Sequence, residues 1–292
     1  MNGVAVISQL TIDCIYADFP RFPEKGEELY AKHFEMTLGG GACVTPIRLS
    51  KMGVPTRFGT FFGEDMLSAT ARMLLDKYGA TNVHNFYKGD KSPVIFSTIY
   101  SYPDDRGILT YDSGIGEDSL SDDEIYDFLK GADVCFAPQR PEILKKLQAD
   151  GTKTVYDVHW EEGQTLDDHK AVLRYADMFT PNDKEAMFLT NTDTPEDALR
   201  VLCEYTKQPI VKIGKKGCCT IIDGEIQYFP AGEATPIDKT GAGDNFLAGL
   251  VFGMYHKLPV GECIRLANIA GALSTEAHGC FSAKYDLNDY LC

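Results

Sequence analysis

Short apolar runs alternate with stretches of helical periodicity along most of this chain, and that alternation restricts the fold more than any other feature. Val4–Ile7, Thr56–Thr60, 134–137, 154–157, Met178–Phe179, 210–213 and 219–222 read as strands. Residues 42–52, 65–78, 142–149, 243–255 and 260–277 carry apolar residues at helical spacing. Strands that are apolar on consecutive residues must be covered on both faces. Such strands alternating with helices predict an α/β fold, a parallel sheet between two helical layers. One region breaks the pattern. Residues 93–100 and 107–111 are rich in β-branched and aromatic side chains, and Pro103, Asp104, Asp105 and Gly107 mark a turn between them. This predicts a hairpin inserted between helices, suited either to cover a site or to form a dimer edge. No interdomain linker or internal repeat interrupts residues 1–292, so a single domain is expected.

The formal net charge of −15 sets a repulsive field against nucleic acid and anionic lipid, which excludes both as partners. An anionic ligand must therefore be held by backbone amides and a few placed cations. No apolar run approaches the roughly 20 residues of a membrane span, and MNGVAVISQL reads as a first strand rather than a signal peptide. The nine cysteines are odd in number and form no C-x-x-C pair, and the six histidines lack ligand spacing. Reduced, mostly buried thiols in a cytoplasmic protein without a structural metal are expected.

The most informative segment is Ile237-Asp238-Lys239-Thr240-Gly241-Ala242-Gly243-Asp244-Asn245-Phe246. Phe246, Leu247, Leu250, Val251 and Met254 recur at helical spacing, so a helix starts here. Small residues at a helix N-terminus let amide groups approach an anion, and the helix dipole favours negative charge there. An aspartate in the first turn then stands beside that anion. Phosphoryl transfer needs both parts, donors for phosphate oxygens and a carboxylate to take the proton of the attacking hydroxyl. Spacing alone also admits an ordinary glycine turn with a first-turn acid. No Walker A sequence occurs, and no G-x-G-x-x-G follows the first strand, which argues against a dehydrogenase.

The run from Asp238 to Phe246 resembles the D-T-x-G-A-G-D-x-F signature of the ribokinase (PfkB) family of carbohydrate kinases, with Lys239 as the departure. Further features resemble the family in chain order. They are Asp13, the glycines Gly39-Gly40 before a helix, Gly63-Glu64-Asp65, Asn182-Asp183-Lys184-Glu185, the segment from Val211 to Gly217, and the helix carrying Asn268. The resemblance implies a ribokinase-like three-layer α/β/α sandwich with a small β lid, which the hairpin around 93–111 would help to form. It also implies transfer of the ATP γ-phosphate, with Mg2+, to a hydroxyl of a sugar-like substrate.

By this resemblance Asp244 is the general base, and Gly241, Ala242 and Gly243 supply amides to the transferred phosphoryl group. Asn182 and Glu185 would organise the Mg2+-bound triphosphate through water, a role compatible with a plain helix cap. Asp13 would hold acceptor hydroxyls, and Gly39 and Gly40 would let the acceptor lie against the backbone. Lys212, Gly214 and Gly217 would line the nucleotide site, although Lys212 stands where a small hydroxyl residue is expected. Asn268 would lie near adenine. Asp238 and Thr240 would belong to a monovalent-cation site of the K+ type, whose remainder, around 278–283, matches poorly.

The departures gather on the acceptor side. Val44 stands where the family places an asparagine, Thr11 replaces another polar contact, and Ser68 replaces a glycine. The reaction is therefore better determined than the acceptor, and the expected enzyme is of the fructokinase, ribokinase or fructosamine/fructoselysine kinase type. A nucleoside kinase of the same fold is the near alternative. A non-catalytic sugar- or nucleotide-binding regulator is the distant one, and it would be expected to lose Asp244 or the G-A-G turn.

Overall fold

The structure, a computed structural model, describes residues 2–101, 106–158 and 163–291. The chain opens with β1 (Val4–Ile7), then leaves the main body for β2 (Thr11–Ala17) and β3 (His33–Leu38). It returns through α1 (Val44–Lys51), β4 (Thr56–Thr60), α2 (Met66–Tyr78) and β5 (Val83–Asn85). A second excursion forms β6 (Ile95–Ser101) and β7 (Arg106–Tyr111). The alternation then resumes with α3 (Asp122–Leu129), β8 (Val134–Phe136), α4 (Pro141–Ala149), β9 (Lys153–Tyr156) and α5 (Leu166–Leu173). It continues with β10 (Met178–Phe179), α6 (Asp183–Thr190), α7 (Pro195–Leu202) and β11 (Ile210–Lys212). A hairpin of β12 (Cys218–Ile222) and β13 (Glu225–Phe229) leads into α8 (Ala242–Tyr255) and α9 (Val260–Ser274).

The central sheet runs β10-β9-β8-β1-β4-β5, and every pairing in it is parallel. Bridges from Phe179 to Pro209 and from Asn182 to Lys212 join it to the antiparallel β11-β12-β13. Side-chain alternation along the strands builds the two outer layers. Val4 and Val6 of β1 pack in the cluster that includes Phe246, Leu250, Ile264 and Ile47, whereas Ala5 and Ile7 pack with Ile125, Leu129, Ile143 and Leu147. Val155 and Met178 join the first cluster, while Tyr156 and Phe179 join a third with Leu173, Ala186 and Leu199. The expected three-layer α/β/α sandwich is therefore present.

The hairpin expected at 93–111 is present as β6 and β7, paired antiparallel from Phe96–Tyr111 to Ser101–Arg106; its turn at 102–105 lies outside the described residues. It is half of a larger unit. β2 pairs parallel with β6 and antiparallel with β3, giving a separate four-stranded sheet in the order β3-β2-β6-β7. β2 and β3 were not read from sequence, because their partners are remote and β3 is mostly exposed. Registration puts Thr37, Asp13, Ser97 and Thr110 in one row across the four strands. Asp13 thus lies within β2, the strand that follows β1.

Candidate active site

The loop from β3 into α1 brings two carboxylates to adjacent glycines. A Cβ built on Gly39 would stand 3.0 Å from both carboxylate oxygens of Asp13 and 2.9 Å from the Thr11 Cβ. One built on Gly40 would collide with the carboxylate of Asp244. Asp13 and Asp244, 231 positions apart, therefore flank the same turn of backbone, and only hydrogen at these two Cα positions leaves the carboxylates where they are. Asp13 is 8% exposed. The neighbouring Ser97 hydroxyl shares a hydrogen bond with that of Thr110 (3.0 Å), and the Thr37 hydroxyl shares one with Tyr78 (2.7 Å).

Asp244 sits in the first turn of α8, whose N-cap is Gly241. Gly241 has φ +75°, a conformation open to glycine, and a Cβ there would run into Cys280. The Ala242 amide closes a turn onto the Lys239 carbonyl (3.2 Å). The amides of Gly241, Gly243 and Asp244 make no such backbone bond among the described residues. They are the orphan donors of a helix start and suit an anion. Asp238 fastens the approach to this turn by accepting from the Thr240 amide (2.9 Å) and the Gly279 amide (2.8 Å). Burial by itself would raise the Asp238 carboxyl, but these hydrogen bonds and nearby His278 hold it below its ordinary value.

Behind the turn lies Arg48 of α1, only 3% exposed. Its guanidinium donates to Asn245 Oδ1 and to the carbonyls of Cys280 and Ala283, each at 2.8 Å, and stacks over the Tyr285 ring at 4.7 Å. One side chain thus ties the helix after the Gly39-Gly40 loop to the neighbour of Asp244 and to the C-terminal loop. Asn245 completes the tie, donating to the Gly241 carbonyl (2.9 Å) and the Cys280 carbonyl (3.1 Å). The Cys43 and Cys280 thiols are pushed up by burial first and then by Asp244 and Asp13, which places both thiols beside the two carboxylates in neutral form.

The opposite side of Asp244 is built from the C-terminal ends of the parallel strands, where α/β folds place their ligands. Asn182 and Glu185 form a reciprocal capping box at the start of α6. The Glu185 amide donates to Asn182 Oδ1 (2.9 Å) and the Asn182 amide to Glu185 Oε2 (2.8 Å). The bridge to Asn182 sets Lys212 alongside. The Lys212 ammonium lies 3.3 and 3.4 Å from the oxygens of Asp157, and a Cβ built on Gly243 would meet it at 3.8 Å. Asp157 also accepts from the Thr180 hydroxyl (3.0 Å). Its carboxyl is raised by burial and by Asp244, and Lys212 opposes the rise. Gly217 is required locally, since its φ of +93° and the close approach of Phe229 and Ala231 admit no side chain. Asn268 is 6% exposed and spends its amide on the Phe229 carbonyl (3.3 Å) and the Cys218 sulfur (3.5 Å), bracing α9 against the β12–β13 hairpin.

The sequence pattern of the pfkB family of carbohydrate kinases matches residues 1–285. The chain belongs to the PfkB family. Among its relatives, the ribokinase of Arabidopsis thaliana is 26% identical over 95% of this chain and 77% of its own length. The cytidine kinase of Thermococcus kodakarensis is 24% identical over 79% of this chain and 85% of its own. The solved structure of Arabidopsis thaliana ribokinase complexed with ribose and ATP superposes with a TM-score of 0.79 at 23% identity, covering 99% and 97% of the two chains. At that identity the likeness shows the ribokinase-like fold. The PfkB chain is thus a kinase of the sugar and nucleoside class, as its sequence led us to expect.

Two further expectations meet the geometry of this PfkB kinase. Among the described residues no group of three or more His, Cys, Asp or Glu side chains is arranged to hold a metal. Asn182 and Glu185 each spend one side-chain oxygen on the reciprocal capping box. The cysteines described are free, and all but Cys203 are buried. No helix among the described residues is long and apolar enough to cross a membrane. Sequence reasoning missed Arg48, Asp157 and Cys280 as site residues. Arg48 left one signal, a cation on the apolar face of the helix at 42–52. Asp157 left another, an acid directly after a buried strand.

Proposed function

We propose that the protein transfers the γ-phosphoryl group of ATP to a hydroxyl of a small sugar or sugar derivative. The observation that carries this reading is the placement of Asp13 and Asp244 over successive glycines. An acceptor lying on that loop would bond its hydroxyls to Asp13 while presenting one of them to Asp244. Asp244 takes the proton of that hydroxyl as the new O–P bond forms and the bond to the β-phosphate oxygen breaks, releasing ADP. The amides at the start of α8 receive the charge on the transferred group. Bound Mg2+ would screen the triphosphate, with Asn182 and Glu185 orienting its waters. Gly214 and Gly217 would shape the nucleotide loop, and Asn268 would act near adenine by holding that loop. Asp238 would first fasten the α8 turn, and with Thr240 it would offer oxygen to a K+-type ion.

The four-stranded sheet would act as the lid. Its row of Thr37, Asp13, Ser97 and Thr110 would face the acceptor. The opposite face carries Phe34, Met36 and Leu109, which are exposed and suited to a second copy of the chain in a homodimer. Buried thiols and the acidic surface agree with a cytoplasmic enzyme. The similarity to a cytidine kinase supports a nucleoside acceptor as the second reading.

The test is ADP release from MgATP over a panel of sugars, glycated amines and nucleosides, with Asp244→Asn as the control. Asparagine keeps the side-chain shape but accepts no proton. Turnover should fall by about 10²–10⁴ while ATP still binds. Turnover of the variant within threefold of wild type would remove Asp244 from the reaction. No turnover with any acceptor in wild type, with ATP binding intact, would favour a regulator.

A further inference from the structure

Lys212 has no clear place in the chemistry described so far, and its surroundings are unusual. Its side chain is 16% exposed and that of Asp157 is 23% exposed, so the pair is largely withdrawn from water. Its separations of 3.3 and 3.4 Å exceed the 2.7–2.9 Å of a tight charge-assisted bond. An ammonium has three donors, and two oxygens of Asp157 occupy at most two of them. Asp157 Oδ1, the farther of those two oxygens, also accepts from the Thr180 hydroxyl at 3.0 Å. The backbone of Lys212 is fixed as well, its amide donating to the Pro181 carbonyl at 2.9 Å and its strand bridged to Asn182. The free reach of the ammonium is therefore toward Gly243, at the start of α8, where a Cβ would meet it at 3.8 Å, while its backbone is bridged to Asn182.

Resting on the proposed phosphoryl transfer, we propose that Lys212 is a catalytic residue whose ammonium bridges the β- and γ-phosphates, and that Asp157 is its positioning residue. In this arrangement the γ-phosphorus to bridging-oxygen bond breaks beside a cation. The electron pair left on the ADP oxygen is neutralised there, and the acceptor's proton goes to Asp244 on the other side. A loosely paired ammonium costs little to recruit, because it exchanges one anionic partner for another without being transferred from water. The small hydroxyl residue expected from the family pattern at this position would supply only a neutral hydrogen bond.

The experiment compares wild type with Lys212→Met, Lys212→Arg and Asp157→Asn. Affinities for a non-hydrolysable ATP analogue and for AMP are measured together with kcat, KM and melting temperature. Lys212→Met should lose on the order of 10²-fold in kcat, the usual effect of removing one preorganised donor from developing charge. It should bind the triphosphate about tenfold more weakly, losing one charge-assisted contact, and bind AMP as wild type does. Lys212→Arg should recover much of the triphosphate affinity. Asp157→Asn should lower kcat more than it raises the acceptor KM. Equal weakening of AMP and the triphosphate, or no change in either, would overturn the proposal. The ratio of the two affinities needs no acceptor, so it decides the role of Lys212 even if the phosphoryl-transfer reading itself fails.

Discussion

Gly40→Ala should disable the enzyme without unfolding it, and the size of the effect can be worked from the geometry. Gly40 does not adopt a left-handed φ, so alanine brings no backbone strain. Its methyl group would nevertheless overlap the Asp244 carboxylate, against an ordinary contact of 3.4 Å or more. The methyl cannot turn away, so the carboxylate must retreat by about 1 Å, which for a reacting group costs on the order of 10² in rate. Nucleotide affinity should hold, because the amides of α8 and the Asn182–Glu185 pair are untouched. Gly39→Ala, one residue earlier, places its methyl 3.0 Å from the Asp13 oxygens instead. That variant should raise the acceptor KM with a smaller change in kcat. The assay is steady-state ADP release with the acceptor and ATP varied in turn, alongside thermal melting of both variants. Gly40→Ala with kcat within threefold of wild type would refute the placement of Asp244. So would identical kinetic defects in the two variants.

Two predictions concern the framework of the site. Arg48→Met should remove three 2.8 Å hydrogen bonds and leave the Ala283 carbonyl without that donor, costing about 2–4 kcal/mol. For a chain of this size that lowers the melting temperature by on the order of 10 °C, and an unchanged melting curve would show that the tie is not needed. Asp238 is held below its ordinary value of 3.8, so it adds stability above that pH and loses it as pH falls through the lower folded value. Asp238→Asn should therefore be less stable than wild type near neutrality in denaturant melts. The gap should begin to shrink as pH falls below 3.8 and close only below the lower folded value, and a gap that stays constant through the acid range would assign the loss to something other than ionisation.

Much of this architecture was written in local sequence. β1 and β4 match their expected limits, and α8 starts within a residue of its expected position, because apolar periodicity and a left-handed glycine act over a few residues. The helix start at Gly241 was legible for the same reason, since free amides at a helix N-terminus are set within one turn. The capping box of Asn182 and Glu185 is local as well, its two residues three positions apart.

The acceptor side was decided elsewhere. Nothing near Asp13 in sequence announces the strand that carries it or its partners β3 and β6. Asp13 gains its place from register with Thr37 and Ser97, and from a loop whose next glycine meets a helix over 200 residues later. Arg48 finds its carbonyl partners 232 and 235 positions away, and Lys212 finds Asp157 55 positions away. A side chain's local pattern records which face is apolar and which backbone angles are allowed. Which two charges meet depends instead on how strands order themselves in a sheet and how far loops close. That is a property of the whole packed core, and it is why the type of reaction could be read from the sequence while the ion pairs around Asp244 and the placement of Asp13 required the fold.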